Sequence, residues 1–159
     1  MGKYQWLLFL HVTGAFLFLG GTVVAGVLML AALRRERPSE IAVFLRLTRP
    51  ALIAISIGVG LLFIFGIWLV SASPNGYGAG QAWVIAAFLL FVLVNALGGM
   101  SGKRERATRE LAERLAGSGD EPSAELQARL RDPVVRSLSL ASFLLTLVIR
   151  GLMIWKPGA

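Results

Sequence analysis

Two ionisable side chains stand out because they lie inside long apolar stretches of the sequence. His11, the only histidine, interrupts LLFLHVTGAFLFLGG at residues 7–21, and Arg150 interrupts an apolar stretch near the other end. Ionisable residues are rare within membrane-spanning segments and mark functional sites by default. A neutral imidazole can bind a metal ion or a haem iron, and a guanidinium can neutralise a haem propionate. The chemistry to consider first is therefore cofactor binding at His11.

The set of side chains that could bind a metal is short. The chain has no cysteine, which excludes iron–sulfur clusters and cysteine zinc sites and leaves histidine, methionine, carboxylates or a porphyrin. With one histidine, a haem would be five-coordinate, would take a methionine such as Met153, or would be shared across a homodimer. Copper prefers soft ligands, yet Met29 and Met100 are predicted far from His11 and Met153. The residues therefore leave haem b open at His11, with copper bound by His11 and Met153 as the alternative.

The helix predicted around His11 carries small residues on the same face as the imidazole. Spacings of three and four place the following side chains together: His11, Gly14, Phe18, Gly21 and Ala25. In one interpretation the glycines form a flat depression for the plane of a haem whose iron is bound by His11. In the other, Gly21 and Ala25 let a second helix approach closely, and His11 is a neutral imidazole bonded to a neighbouring hydroxyl or carbonyl. The residues alone leave both interpretations open.

The elements that must position these residues are membrane helices. The chain has 159 residues, 56% of them hydrophobic, and four apolar segments at about residues 4–33, 50–70, 82–100 and 133–155. Each is long enough to cross a hydrocarbon layer of about 30 Å. Pro50 and Pro133 are predicted to open the second and fourth spans, and Asp132 reads as an N-cap. We predict an all-α integral membrane four-helix bundle, with one domain over residues 1–159 and a helical cytoplasmic connection at 101–132.

Charges and tryptophans predict the orientation of the chain. Basic residues crowd the connections after the first and third spans, whereas the connection SASPNGYGAGQ carries no charge. The positive-inside rule then places both termini outside. One tryptophan lies at the predicted outer end of each span: Trp6, Trp68, Trp83 and Trp155. His11 and Arg150 each follow such a tryptophan by five residues, so both are predicted roughly 7 to 8 Å below the outer boundary.

The connections on the inner side have helical patterns of their own. Arginine and glutamate recur four residues apart in SGKRERATRELAERLAG, which predicts a helix that continues from the third span until GSGD. A short helix is predicted at 123–131. The segment SEIAVFLRLTR, at 39–49, is predicted to lie along the inner surface as an interfacial helix, either as a dock for a partner or, as we favour, as a lipid-facing linker.

The stretch LHVTGAFLFLGG resembles the first span of an uncharacterised bacterial family of predicted integral membrane proteins. It is more loosely similar to the beginning of copper resistance protein D and of the J-type protoporphyrinogen oxidase. In those oxidases a histidine of the first span is associated with haem, and the resemblance implies that role for His11. The relatives have further histidines that this chain lacks.

These observations predict a b-type haem-binding protein of the bacterial inner membrane, with the haem near the outer leaflet. Its role would be electron transfer, haem handling or gas sensing, and its partners would be the lipid bilayer, a second copy and a redox partner, without nucleic acid.

No carboxylate lies in a span, which disfavours a proton-coupled transporter, and no enzyme signature is found. The alternative is a non-enzymatic membrane subunit or a copper-handling permease of the copper resistance D type. The predicted cofactor contacts are His11, Gly14, Phe18, Gly21 and Arg150, with His11 and Met153 as metal ligands.

Overall fold

The computed structural model describes residues 2–72, 78 and 80–157, and five helices account for nearly all of them. They are α1 (Lys3–Ala32), α2 (Pro38–Ser71), α3 (Ala82–Gly117), α4 (Ala124–Leu130) and α5 (Pro133–Trp155). No strand occurs in the described residues. Four helices are long and apolar enough to cross a membrane. The predicted all-α class and the four spans are therefore confirmed, whereas much of the uncharged connection SASPNGYGAGQ lies outside the described residues.

The chain divides into two compact units. The first contains Met1–Arg35 and Glu40–Gly78, and the second contains Glu36–Ser39 and Ala79–Ala159. Accordingly α1 and most of α2 belong to the first unit, and α3, α4 and α5 belong to the second. The single domain predicted over residues 1–159 stays a prediction, as does the placement of both termini outside.

The helices of the first unit run antiparallel and touch through their backbones. Gly14 of α1 lies against Gly58 and Leu61 of α2. Further along α1, Gly21 lies against Ala51 and Ile55, which come earlier in α2, so the two helices run in opposite directions. Gly14 and Gly21 are buried. Small residues at such positions let membrane helices approach closely, because lipid offers no hydrophobic drive for their association.

The second span begins earlier than the sequence pattern predicts. Helix α2 runs through Pro50, which lies in its interior, so the prediction that Pro50 opens the span is wrong. The segment 39–49, predicted as a separate interfacial helix, is the first part of α2. A proline within a helix removes one backbone hydrogen bond. The burial of α2 residues before and after Pro50 compensates for this loss. One face of α2 is buried there: Ile41, Leu45, Thr48 and Ala51.

The second unit is built on the antiparallel pair α3 and α5. The Arg104 guanidinium donates to Asp132 at 2.7 Å, and the Ser101 and Ser139 hydroxyls lie 3.5 Å apart. Asp132 also accepts from the Val134 N–H at 2.9 Å, which confirms it as the N-cap of α5. Helix α3 continues well past the apolar span before it ends, as the pattern of charges predicts.

The apolar side chains of the long helices are largely exposed. Phe16 is 74% exposed and Trp155 is 81% exposed. Water-soluble folds rarely present so many large apolar groups on every helix, whereas lipid-facing surfaces do. The long helices are therefore bilayer-spanning elements.

Candidate functional site

His11 lies on α1 with its imidazole turned towards α2. The ring atoms Cε1 and Nδ1 lie 3.3 Å and 3.5 Å from the point that a Cβ atom would occupy at Gly66. The side chain is half-buried. A Cβ atom at Gly66 would contact the ring tightly, so glycine at this position gives the imidazole room against the α2 backbone.

Nδ1 of His11 is fully enclosed by this contact. Among the described residues it has no hydrogen-bond partner of standard geometry, although the backbone of Leu62 lies beside the imidazole. A buried polar atom with an incomplete partner is uncommon and calls for an explanation, because its desolvation is only partly offset. The imidazole is thus held against α2 along its Nδ1 edge, and any external ligand has to approach Nε2.

The glycines that follow His11 on the same face of α1 are covered by α2. A Cβ atom at Gly14 would lie 2.8 Å from the Leu61 Cβ, and one at Gly21 would lie 2.7 Å from the Ala51 carbonyl oxygen. Phe18 contributes through its backbone, since a Cβ atom at Gly58 would lie 2.6 Å from the Phe18 nitrogen. Helix α2 therefore fills the depression that the sequence predicts beside His11, and these contacts are those of helix packing.

The contact with α2 encloses one ring nitrogen of His11, and α2 also packs against the glycines that follow it on α1. A ligating histidine usually donates its other ring N–H to a backbone carbonyl, a carboxylate or water, which fixes the tautomer and the ring orientation. The enclosed Nδ1 lies against α2 beside the Leu62 backbone, but no hydrogen bond of standard geometry joins them. Helix α2 occupies the space at Gly14 and Gly21, and the haem contacts predicted for these two glycines stay predictions.

Arg150 and Met153 lie on α5, three residues apart, and so on one face of that helix. Arg150 is half-buried, and within the described residues no ion pair or side-chain hydrogen bond is recorded for it. Met153 is 39% exposed. Both residues belong to the second unit and His11 to the first, so their predicted meeting at one haem stays a prediction.

One family of proteins matches nearly the whole chain. Its description is "Predicted integral membrane protein (DUF2269)", and the match covers residues 5–157. The chain belongs to this family. No curated protein and no solved structure matches it. The family and the four apolar helices together establish an integral membrane protein with several spans, while the looser resemblance to copper resistance protein D and to the J-type oxidase remains an expectation.

The sequence interpretation missed the neighbours of His11 on α2. Gly66 and Leu62 carry no chemistry of their own, so a search for ionisable groups passes over them. A usable signal was present, because Gly66 precedes Trp68 by two residues and His11 follows Trp6 by five. At 1.5 Å per residue, these spacings place the two residues about 4.5 Å apart in depth, less than one helical turn.

Proposed function

We propose that the protein is a membrane b-type haem-binding protein in which His11 is an axial ligand through Nε2. The observation that carries the proposal is the enclosure of Nδ1 against α2 beside the Leu62 backbone. That contact leaves one nitrogen of the chain's only imidazole for a ligand and holds the ring in place for it. The roles predicted for Gly14, Phe18, Gly21, Arg150 and Met153 stay predictions.

The chain itself would contribute orientation and a dry environment. The backbone of α2 would fix the imidazole plane, and the apolar residues that flank His11 on α1 would keep the ligand bond away from water. A bound haem would supply an iron whose redox potential and second axial position are tuned by the protein. Electron transfer, haem handling and gas sensing all use these properties.

The proposal includes the placement of the haem. With both termini outside the bacterial inner membrane, the end of α1 that carries His11 lies in the outer leaflet. The uneven distribution of basic residues and the tryptophans near the helix ends support this orientation. A haem at that depth would be accessible to a redox partner or a gas on the outer side.

The visible spectrum of the purified protein tests the proposal. We expect a Soret band from the protein as isolated in detergent or after reconstitution with hemin. His11→Ala should abolish or shift the band, because the iron loses its axial ligand. Val12→Ala is the matched control, since Val12 is the next residue of α1 and points outward with 43% exposure.

Two results would count against the proposal. The absence of a stoichiometric Soret band from the reconstituted wild-type protein would refute haem binding. An unchanged band in His11→Ala would refute the ligand assignment while leaving haem binding in place. Hemin added to empty micelles provides the background spectrum.

The packing of Gly14, Gly21 and Gly58 favours a second candidate, a non-enzymatic membrane subunit in which His11 serves packing alone. In that case hemin would not bind stoichiometrically, and His11→Ala would lower the Tm of the colourless protein. Stoichiometric binding of copper without colour would instead support the copper-handling alternative. The same preparation therefore separates the candidates.

A further inference from the structure

The two nitrogens of His11 lie in different surroundings, and the difference bears on which of them carries the proton. Nδ1 is enclosed against α2, and the neighbouring Cε1 lies closest to Gly66. In a neutral imidazole one nitrogen is a donor and the other an acceptor, and the group that each faces selects the tautomer. The backbone of α2 at this level therefore decides the form of His11.

The middle of a helix offers acceptors to a side chain but no free donors. Leu62 precedes Gly66 by four residues, so its carbonyl points along the axis towards the Gly66 N–H. That N–H is used within the helix, whereas a carbonyl oxygen has a second lone pair available. A nitrogen that faces this part of α2 can be satisfied only if it donates.

We infer that Gly66 and the Leu62 carbonyl hold His11 in the tautomer that carries its proton on Nδ1, so that Nε2 presents a bare lone pair. Gly66 acts as a positioning residue, because it gives the ring edge access to the carbonyl. A methyl group there would lie 3.3 Å from Cε1 and 3.5 Å from Nδ1, so the ring edge would have to shift by a few tenths of an ångström from the α2 backbone. The inference rests on the proposed function, in which iron would bind the bare Nε2. The tautomer itself is a property of the haem-free protein and can be measured without haem.

Nitrogen NMR of the haem-free protein tests the inference directly. Because His11 is the only histidine, selective ¹⁵N-histidine labelling gives one imidazole with two ring signals, without overlap. Protonated and bare imidazole nitrogens resonate far apart, and couplings to the ring protons identify each nitrogen. We expect the Nδ1–H tautomer in about fivefold excess or more, because a bare Nδ1 would set its lone pair against that of the Leu62 carbonyl.

Two glycine variants test the positioning role. In Gly66→Ala the excess of the Nδ1–H tautomer should fall towards parity or reverse. Gly60→Ala is the matched control on the same helix, because a Cβ atom there meets nothing within 4 Å, and it should retain the wild-type ratio. Tautomer ratios are populations of folded protein, so a change in stability alone would not alter them.

The outcomes are separable from those of the haem experiment. A predominant Nε2–H tautomer in the wild type, or equal amounts of the two forms, would overturn the inference even if a Soret band is present. A wild-type ratio in Gly66→Ala would overturn the role of Gly66. The Nδ1–H tautomer in a protein that takes up no hemin would support the inference and refute the proposed function.

Discussion

Asp120 accepts two hydrogen bonds from Ser39, one from the backbone N–H at 2.7 Å and one from the hydroxyl at 2.6 Å. Ser39 lies in the first turn of α2, where N–H groups lack partners within the helix. Asp120 follows α3 with a positive φ of 58°, a conformation that aspartate and asparagine adopt more readily than most residues. The carboxylate therefore satisfies the beginning of one helix from the connection after another.

This contact predicts a pH dependence of stability. The hydrogen bonds from Ser39 lower the pKa of Asp120 below its ordinary value. A carboxyl group whose pKa is lower in the folded state stabilises the protein above its unfolded pKa, and this contribution disappears as the pH falls through the folded pKa. Asp120→Asn should therefore lower the Tm clearly at pH 7, with the difference shrinking as the pH falls below about 3.9, the ordinary pKa of aspartate.

Thermal unfolding in detergent between pH 7 and pH 3 checks this prediction. Glu121→Gln is the control, because it removes the neighbouring exposed carboxylate and leaves Asp120 in place. A difference in Tm between wild type and Asp120→Asn that does not vary with pH would show that the carboxylate charge contributes nothing.

Two adjacent glycines of α1 are expected to respond oppositely to alanine. A Cβ atom at Gly21 would lie 2.7 Å from the backbone oxygen of Ala51, whereas one at Gly20 meets nothing within 4 Å. Gly21→Ala should destabilise the α1–α2 contact by about 1–3 kcal/mol, as overpacking does. Gly20→Ala should be neutral or slightly stabilising, since alanine is the better helix former. Tm values measured side by side decide the matter, and equal effects would mean that α2 does not approach α1 at Gly21.

The absence of cysteine makes the orientation of the chain directly testable. Single cysteines can be introduced at Gly2 and Gly80, which are predicted outside, and at Glu36 and Glu121, which are predicted inside; all four are exposed. A membrane-impermeant thiol reagent applied to intact cells should label the first two, and the second two only after lysis. The reverse pattern would place the termini in the cytoplasm and the His11 end of α1 in the inner leaflet.

The predicted partnership of Arg150 with a haem propionate has a separate test. A charge-assisted hydrogen bond contributes about 1.5–3 kcal/mol, so Arg150→Gln should weaken hemin retention about tenfold or more without removing the Soret band. Arg136→Gln is the control, because it removes an exposed arginine near the other end of the same helix. Dissociation of hemin to an excess of apomyoglobin measures retention, and equal rates for the two variants would contradict the role of Arg150.

The features that were predictable from the sequence are those that depend on nearby residues. The length of an apolar stretch sets the four spans, Asp132 before a proline marks the start of α5, and charges four apart carry α3 to Gly117. The start of α2 was missed because Pro50 was taken as a boundary, whereas burial of the residues on both sides of it keeps the helix continuous.

The surroundings of His11 could be predicted only in part, because they depend on a partner helix. Helical spacing correctly places His11, Gly14 and Gly21 on one face, but it does not say whether a cofactor or a helix covers that face. The answer at Gly14 and Gly21 is α2. The neighbours of the imidazole on α2, Gly66 and the backbone of Leu62, carry no reactive side chain, so a search for reactive side chains does not find them.

The contact of α1 with α2 also limits how this protein can change during evolution. An ordinary core contact tolerates a larger side chain on one helix when the facing residue becomes smaller. Gly14 faces Gly58, and no residue is smaller than glycine, so compensation from the facing glycine is unavailable in either direction. Stepwise substitutions at this contact therefore cannot shift the register that places His11 beside Gly66. Substitutions should accumulate first on the outward faces of both helices.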